Sequence, residues 1–539
     1  MLFSLVLSLE IAASCLLAGK LLIHYFQLES YQFPGYFRTL RRNSIKCILP
    51  GLTLFVLLTL IYILFFLVFH LPQPVTLIAA GLILIAGGYL IGKSLSEKKT
   101  KKALTYTPRI KRLYCTAFLI LTVLLFLLLN GIDPSAPKQT GNIIRTVSVL
   151  AFPVFLPLWI ALCGLLAWPL EKAISEMYFR DAQRILKSRD DLIRIGITGS
   201  WGKTSVKFIL GTILEEKYHT LVTPASFNTP MGVTKVIRTR LEPSHRVFIA
   251  EMGARHVGDI REMCRLVHPQ IGIITSVGPQ HLDTFKTIER ITKTKYELIE
   301  ALPQDGSAYF ADDEDICRRL YDKTTVHKAI SGLDRDYNSV WAENITYSAQ
   351  GSQFHLCTRE QSVMCHTELL GELNIRNILL CASVAMDLCL SMAQISRGIT
   401  RIKPIEHRLQ LIRHPGGINV IDDAFNSNIR GAIQAFHVLK QFPPDRIVVT
   451  PGMVELDKQE YELNVRFGEE MADCCDRAIL VGKKRSEAIL TGLRKRGFSE
   501  EAVIVVSSLE EATHKLRTIS KPGDIVLFEN DLPDNYSET

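Results

Sequence analysis

The clearest chemistry in this 539-residue chain lies in one stretch, Arg194-Ile-Gly-Ile-Thr-Gly-Ser-Trp-Gly-Lys-Thr-Ser205. Ile193, Ile195, Gly196 and Ile197 run straight into a glycine-rich turn, and Ser205-Val-Lys-Phe-Ile-Leu then opens a helix. A strand, a glycine turn and a helix bring backbone N–H groups up to an anion, and the helix N-terminus adds partial positive charge. In such a turn Lys203 reaches the β- and γ-phosphates of a nucleotide, and the Thr204 hydroxyl holds Mg²⁺. Gly199, Ser200, Gly202 and Ser205 complete the candidate phosphate cradle. The turn is shorter than the usual P-loop, because Ile197 stands where the first glycine normally falls.

Two further polar groups emerge near it. An apolar strand expected over 246–250 ends in Glu251, where a carboxylate beside a nucleotide turn serves as a second Mg²⁺ ligand. A strand over 271–275 leads to His281, the third polar group on the same sheet edge. The loop between carries Asn228, Thr229 and Gly232. A helix over 288–301 holds Lys293 and Lys295, which by themselves read as an ordinary solvated face. The βαβ rhythm runs on to 308–311, residues 325–370 read as a small antiparallel sheet, and strands and helices alternate again from 419 to 528. The last stretch predicts a parallel sheet with helices on both faces.

These elements must be placed against a very different first third. The positive mean hydropathy arises there, in five apolar runs at roughly 2–25, 48–69, 75–92, 113–130 and 146–169, each near the ~20 residues a bilayer core requires. The first run carries Glu10 and Lys20, lacks a basic leader, and so does not read as a cleaved signal. The loop after the first run holds Arg38, Arg41, Arg42 and Lys46. The loop after the third holds Lys93, Lys98, Lys99, Lys101, Lys102, Arg109, Lys111 and Arg112. The positive-inside rule then puts the N-terminus outside and both basic loops, with everything after residue 170, in the cytoplasm. Glu10 reads as lying near the outer interface, and Pro153 and Pro157 as bending the last span. The net charge of +8 is unevenly placed; no nucleic-acid partner is expected, and membrane lipids are. The twelve cysteines include no Cys-x-x-Cys and read as reduced thiols. The expected organisation is a five-span transmembrane region over 1–170, an amphipathic linker helix over 171–190, a central domain over 191–403 and a C-terminal domain over 404–539.

The motif order resembles the Mur ligases, the ATP-dependent amide-forming enzymes of peptidoglycan precursor synthesis. It runs Thr-Gly-Ser-x-Gly-Lys-Thr, Asn228-Thr-Pro-Met-Gly232, Glu251-Met-Gly-Ala, Val277-Gly-Pro-x-His281, Lys295, Gly371-x-x-Asn374-x-x-Asn377, His407-Arg408 and Asp422-Asp423-Ala-Phe-Asn426-Ser-Asn428. The nearest likeness is to the branch that adds D-alanyl-D-alanine to a muramoyl tripeptide. The resemblance implies a P-loop-type ATPase central domain and a Rossmann-like C-terminal domain behind the helical membrane region. It implies ATP and Mg²⁺, with Lys203, Lys295 and His281 catalytic and Thr204, Glu251 and His281 on the metal. Lys295 aligns with a lysine that the family carbamylates. Asn374, Asn377, Arg408 and Asp423 fall on the nucleotide side, and Asn228, Thr229, Asn426 and Asn428 are candidates for substrate. The implied partners are a muramoyl-peptide precursor, UDP- or lipid-linked, and an amino acid or dipeptide, joined through an acyl-phosphate at the inner face of a bacterial cytoplasmic membrane. Leu373 replaces the family's histidine, Ile429 its proline, and Phe528-Glu529-Asn-Asp531 its Lys-Gly-Ser, which bears on adenine and amine recognition. Five spans stand where the family has its UDP-binding domain. The alternatives are a ligase of this fold with another acid and amine, such as a polyglutamate-type enzyme, and a non-catalytic membrane scaffold.

Overall fold

The computed structural model describes residues 1–29, 31–64, 73–96, 104–131, 138–224, 227–280, 282–312, 315–348, 351–404, 407, 409–413, 417–424, 429–443, 445–454, 456 and 459–530. The chain forms two compact units, Met1–Glu176 and Met177–Thr539.

The first unit is helical. Among the described residues, four helices are long and apolar enough to cross a membrane: Ser44–Tyr62, Leu77–Leu95, Pro108–Asn130 and Gly141–Lys187. Leu2–Ala18 and Lys20–Leu28 make a fifth if the pair, bent by 53° at Gly19, is one span. The helix at Leu2–Ala18 packs on Gln73–Ser96 along a glycine seam. A Cβ at Gly88 would lie 2.6 Å from the Ser14 carbonyl, and one at Gly92 would lie 2.0 Å from the Leu17 carbonyl, so only glycine allows this approach. Glu10 packs against Gly81 on the same seam. Pro153 sits in a short 3₁₀ turn, Phe152–Phe155, ahead of a single helix, Leu156–Lys187. That helix takes in both the end of the last apolar run and the expected linker, running on through Pro169 without a break.

The second unit is α/β. Its larger sheet comprises β1 (Ile193–Thr198), β2 (Thr220–Val222), β3 (Val247–Glu251), β4 (Ile271–Ile274), β5 (Ser307–Ala311), β6 (His327–Gly332), β7 (Val340–Ser348), β8 (Gly351–Cys357) and β9 (Ser362–Thr367). The strand order is β2-β3-β1-β4-β5-β6-β7-β8-β9. All pairs up to β6–β7 are parallel, and β7–β8 and β8–β9 are antiparallel. The expected separate antiparallel sheet over 325–370 is therefore corrected. β6 joins β5 in parallel through the buried Ala329 and Ile330, and the antiparallel strands extend and close the same sheet edge. Apolar clusters cover both faces of this sheet. β1 lies between β3 and β4, with the chain leaving it toward both sides. That is the switch point at which open α/β sheets bind ligands beyond the strand ends.

The smaller sheet comprises β10 (Gln410–Arg413), β11 (Asn419–Asp423), β12 (Arg446–Thr450), β13 (Arg477–Val481), β14 (Val503–Val506) and β15 (Ile525–Glu529), ordered β10-β11-β15-β12-β13-β14. It is parallel except for the edge strand β10, which the sequence pattern does not announce. All twelve cysteines are free thiols.

Candidate active site

β1 delivers the glycine turn, and the helix Lys203–Leu214 starts directly after it. Gly202, with φ of +81°, makes the left-handed turn into that helix. The turn is stapled to the segment following β4. Ser200 N–H donates to the Ser276 carbonyl at 3.0 Å, and Trp201 N–H donates to Ser276 Oγ at 2.8 Å. Ser200 Oγ donates to the Gly278 carbonyl and accepts from Gly278 N–H, both at 2.9 Å. The Ser200 side chain thus shapes the turn. Gly199 packs on Thr275, and Gly278 leaves room for the Trp201 ring. Lys203 Nζ reaches back over the turn to the carbonyls of Gly199 (2.6 Å) and Ser200 (3.2 Å), where phosphate oxygens belong.

Glu251 ends β3 and pairs in register with Ile197 of β1, so its carboxylate stands beside the turn. Thr204 Oγ1 donates to Glu251 Oε2 at 3.0 Å, and Asn228 Nδ2 donates to Oε1 at 3.2 Å. Lys207 Nζ donates to Oε2 at 2.9 Å. This ion pair is shut away from solvent, with Lys207 0% and Glu251 2% exposed. Burial opposes ionisation of Glu251, but the charges of Lys207 and Lys203 and the hydrogen bonds outweigh it and hold the carboxyl below its ordinary range. Burial pulls Lys207 below the ordinary lysine range, against the attraction of Glu251. Sequence reasoning missed Lys207. Its signal was a lysine one turn after Lys203, on a helix otherwise buried through Val206, Ile209, Leu210 and Ile213.

Lys295 lies within the helix Ile288–Glu300 and is only 5% exposed, which corrects its reading as a solvated face. Burial, and then the charge of Lys203, push its amine well below the ordinary lysine range. Thr229 accepts from Gly232 N–H at 3.3 Å as the cap of the helix Pro230–Arg240. Ser205 is buried in the first turn of its helix. Asn374 Nδ2 donates to the Leu370 carbonyl at 2.8 Å, and Asn377 lies against Gly202. Both sit on the helix Glu372–Asp387. In the smaller sheet, Asp423 Oδ1 accepts from Leu409 N–H at 3.1 Å, and Asp422 Oδ2 meets His407 Nδ1 at 2.7 Å. His281, Arg408, Asn426 and Asn428 lie outside the described residues.

A cavity of about 590 Å³ opens beside the turn, within the size range of small-molecule sites. Trp201, Asp312, Arg318 and Arg376 line it, with Gly431 and Gln434 from the C-terminal part. Asp312 takes both Nε (2.6 Å) and Nη2 (2.8 Å) of Arg318, and its carbonyl accepts from Arg376 Nη1 at 2.9 Å. Leu373, in place of the family's histidine, lines the cavity as well. No group of three or more His, Cys, Asp or Glu side chains suited to a metal ion occurs among the described residues. Thr204 and Glu251 nonetheless supply the oxygen donors that Mg²⁺ takes from a protein when phosphates and water complete its shell, so the site fits a nucleotide-borne metal.

Comparison with known proteins decides the family. Residues 197–385 match the Mur ligase middle domain, and residues 407–529 match the Mur ligase glutamate ligase domain. The UDP-N-acetylmuramoyl-tripeptide–D-alanyl-D-alanine ligase of Escherichia coli (strain K12) is 30% identical over 333 residues, 61% of this chain and 73% of that enzyme. The chain belongs to the Mur ligase family. As a Mur ligase it is an ATP-dependent enzyme that forms peptide bonds. MurF from Acinetobacter baumannii shares the fold with a TM-score of 0.60 at 23% identity, over 66% of this chain and 77% of that one. A MurF ligase from Thermotoga maritima in complex with ADP aligns with a TM-score of 0.59 at 22% identity, over 66% and 80%. The matched Mur ligase domains begin at residue 197, after the helical unit.

Proposed function

We propose that this Mur ligase adds D-alanyl-D-alanine, or a related amine, to a muramoyl peptide of the peptidoglycan precursor pathway, with ATP and Mg²⁺. One observation carries the reading: Lys203, Thr204, Glu251 and Lys295 gather at a glycine turn on the sheet's switch point. The turn acts as a P-loop-type cradle for the ATP phosphates. The cavity lined by Trp201, Arg318 and Arg376 takes the nucleoside, and the C-terminal part is the Rossmann-like domain that closes on it.

The substrate carboxylate attacks the γ-phosphorus, an O–P bond forms, and ADP leaves. The amine, having lost a proton to solvent, then attacks the acyl carbon, and inorganic phosphate leaves. Charge accumulates on phosphate oxygens, so the chain contributes mainly position and charge. Lys203 would turn from the turn carbonyls to the phosphates, and Thr204 and Glu251 would hold Mg²⁺, which would supply charge neutralisation there. Burial and the charge of Lys203 hold the Lys295 amine well below the ordinary lysine range, which favours its unprotonated form. Such an amine takes up CO₂, forming an N–C bond and releasing a proton, to give a carbamate that adds a negative charge beside Lys203. Asp422 meets His407 and Asp423 accepts from Leu409 N–H, and the family motif alone assigns Arg408 to ATP on closure.

The apolar helices of the first unit support anchorage in a bacterial cytoplasmic membrane, N-terminus outside and ligase domains in the cytoplasm. The acceptor is then UDP-linked or lipid-linked. The test is ATP-dependent phosphate release by full-length protein in detergent. UDP-MurNAc-tripeptide and its lipid-linked form are offered separately, each with D-alanyl-D-alanine, beside a Lys203→Ala control. Release with either acceptor that Lys203→Ala abolishes supports the reading and names the acceptor, and release with neither, with D-alanyl-D-alanine or with other amino acids and dipeptides offered in its place, contradicts it.

A further inference from the structure

The helical unit holds a groove that the ligase chemistry does not use. It forms where the turn after Lys20–Leu28, the start of Pro108–Asn130 and the Gly164–Glu171 stretch of Leu156–Lys187 meet. Phe26, Tyr31, Phe33, Arg109, Trp168 and Glu171 line it. Glu171 is buried, and both of its oxygens are taken by Arg112, from Nε at 2.6 Å and Nη2 at 2.7 Å. Arg109 is a second guanidinium on the same carboxylate. Its Nε stays 3.8 Å away, beyond hydrogen-bond reach. Instead it lies over the Tyr31 ring, 3.8 Å from the centroid. Among the described residues Arg109 donates no hydrogen bond, and 39% of its side chain is exposed. One carboxylate therefore faces two guanidiniums, and Arg109 brings to the groove a cation with an unspent fork of N–H donors. Its wall is apolar, through Phe26, Phe33, Leu113 and Trp168, and the Trp168 side is about half exposed.

We propose that this groove binds the phosphate of an anionic membrane lipid, with Arg109 on the phosphate and an acyl chain along Trp168 and Phe33. The inference rests on the reading that the helical unit lies in a bilayer. A planar guanidinium matches two phosphate oxygens at once, and stacking on Tyr31 holds it oriented for that contact. The groove joins one positive site to an apolar wall, and a phospholipid joins one anionic phosphate to an apolar chain. Arg112 is spent on Glu171 and serves to hold the wall. A zwitterionic lipid carries its own cation and leaves the charge of Arg109 no advantage.

The test reconstitutes full-length protein in phosphatidylcholine nanodiscs containing a minor fraction of brominated lipid, either brominated phosphatidylglycerol or brominated phosphatidylcholine. Bromine quenches tryptophan on contact, and the difference between wild type and Trp168→Phe isolates Trp168. The expected result is an enrichment of the anionic lipid at Trp168 of about fivefold, the worth of one basic residue at an anionic surface. Arg109→Gln abolishes that preference, whereas Arg109→Lys, which keeps the charge and loses the fork, retains part of it. Unchanged ligase turnover in Arg109→Gln shows that the variant is folded. Equal quenching by both lipids, or an undiminished preference in Arg109→Gln, overturns the proposal while leaving the membrane reading intact. Protein that elutes apart from the discs overturns both.

Discussion

Replacing Lys207 by methionine probes the least conspicuous feature of the site. Lys207 is fully buried, and its Nζ lies 2.9 Å from Glu251 Oε2. Methionine nearly fills the same volume, so the change removes charge and a hydrogen bond with little cavity. Glu251, 2% exposed, is left as a buried carboxylate with only the hydroxyl of Thr204 and the amide of Asn228 to satisfy it. Breaking a buried pair from one side costs about 3–5 kcal/mol. For a domain of this size that lowers the melting temperature by roughly 6–20 °C. The assay is thermal unfolding of full-length protein in detergent, comparing wild type, Lys207→Met, Glu251→Gln and the double variant. The double variant, which buries no lone charge, should be more stable than the sum of the single losses by at least about 2 kcal/mol. Additive losses would refute the pairing. The same variant reports on the metal. With its built-in cation gone, Glu251 should bind Mn²⁺, followed by electron paramagnetic resonance without nucleotide, more tightly than wild type.

Four other outcomes are expected. Lys203→Ala should lower kcat on the order of 10²–10³-fold while leaving the melting temperature nearly unchanged, as stopped-flow phosphate release and unfolding would show. A Cβ at Gly278 would stand 2.3 Å from the Trp201 ring, so Gly278→Ala should push Trp201 into the cavity and raise KM for ATP on the order of tenfold. A normal KM would remove Trp201 from the nucleotide site. Lys295 has a depressed pKa in the fold, so the unfolded chain takes up a proton that the folded chain refuses. That penalty is present at neutral pH and vanishes as pH rises into the ordinary lysine range. Lys295→Met should therefore be the more stable protein at neutral pH in CO₂-free buffer, with the gap closing at high pH. A pH-independent gap would contradict the depressed pKa of Lys295. Finally, Asp312→Asn should loosen Arg318, which meets it through two hydrogen bonds, and weaken ATP binding without altering acceptor binding, as calorimetry would measure.

The glycine turn, the helix after it and the carboxylate on the neighbouring strand were legible in the sequence, because local rules set each of them: apolar run, positive-φ glycine, strand-end acid. Lys295 was legible only through resemblance, since its burial comes from the packing of a helix whose own spacing looks like an exposed face, and its lowered pKa partly from Lys203. Lys207 was hidden for the same reason. A lysine in a helix is ordinary until the helix proves buried on that side too. Residues 325–370 showed their alternation, but alternation cannot say which sheet a strand will join. β10 is short and half-buried, with little pattern of its own. Trp201, written as an arbitrary position within the motif, acquires meaning only against Gly278, 77 residues later. Arg109 reads as one of many basic loop residues, and only the three-dimensional pairing of Arg112 with Glu171 leaves it over.

The measurement that tests the central claim most directly follows oxygen. Muramoyl tripeptide labelled with ¹⁸O in its terminal carboxylate is turned over with ATP and D-alanyl-D-alanine, and the released phosphate and the peptide product are weighed by mass spectrometry. A Mur ligase working through an acyl-phosphate delivers one ¹⁸O to phosphate for every amide bond formed. Phosphate that carries no label, or that appears without any amide product, would contradict the account.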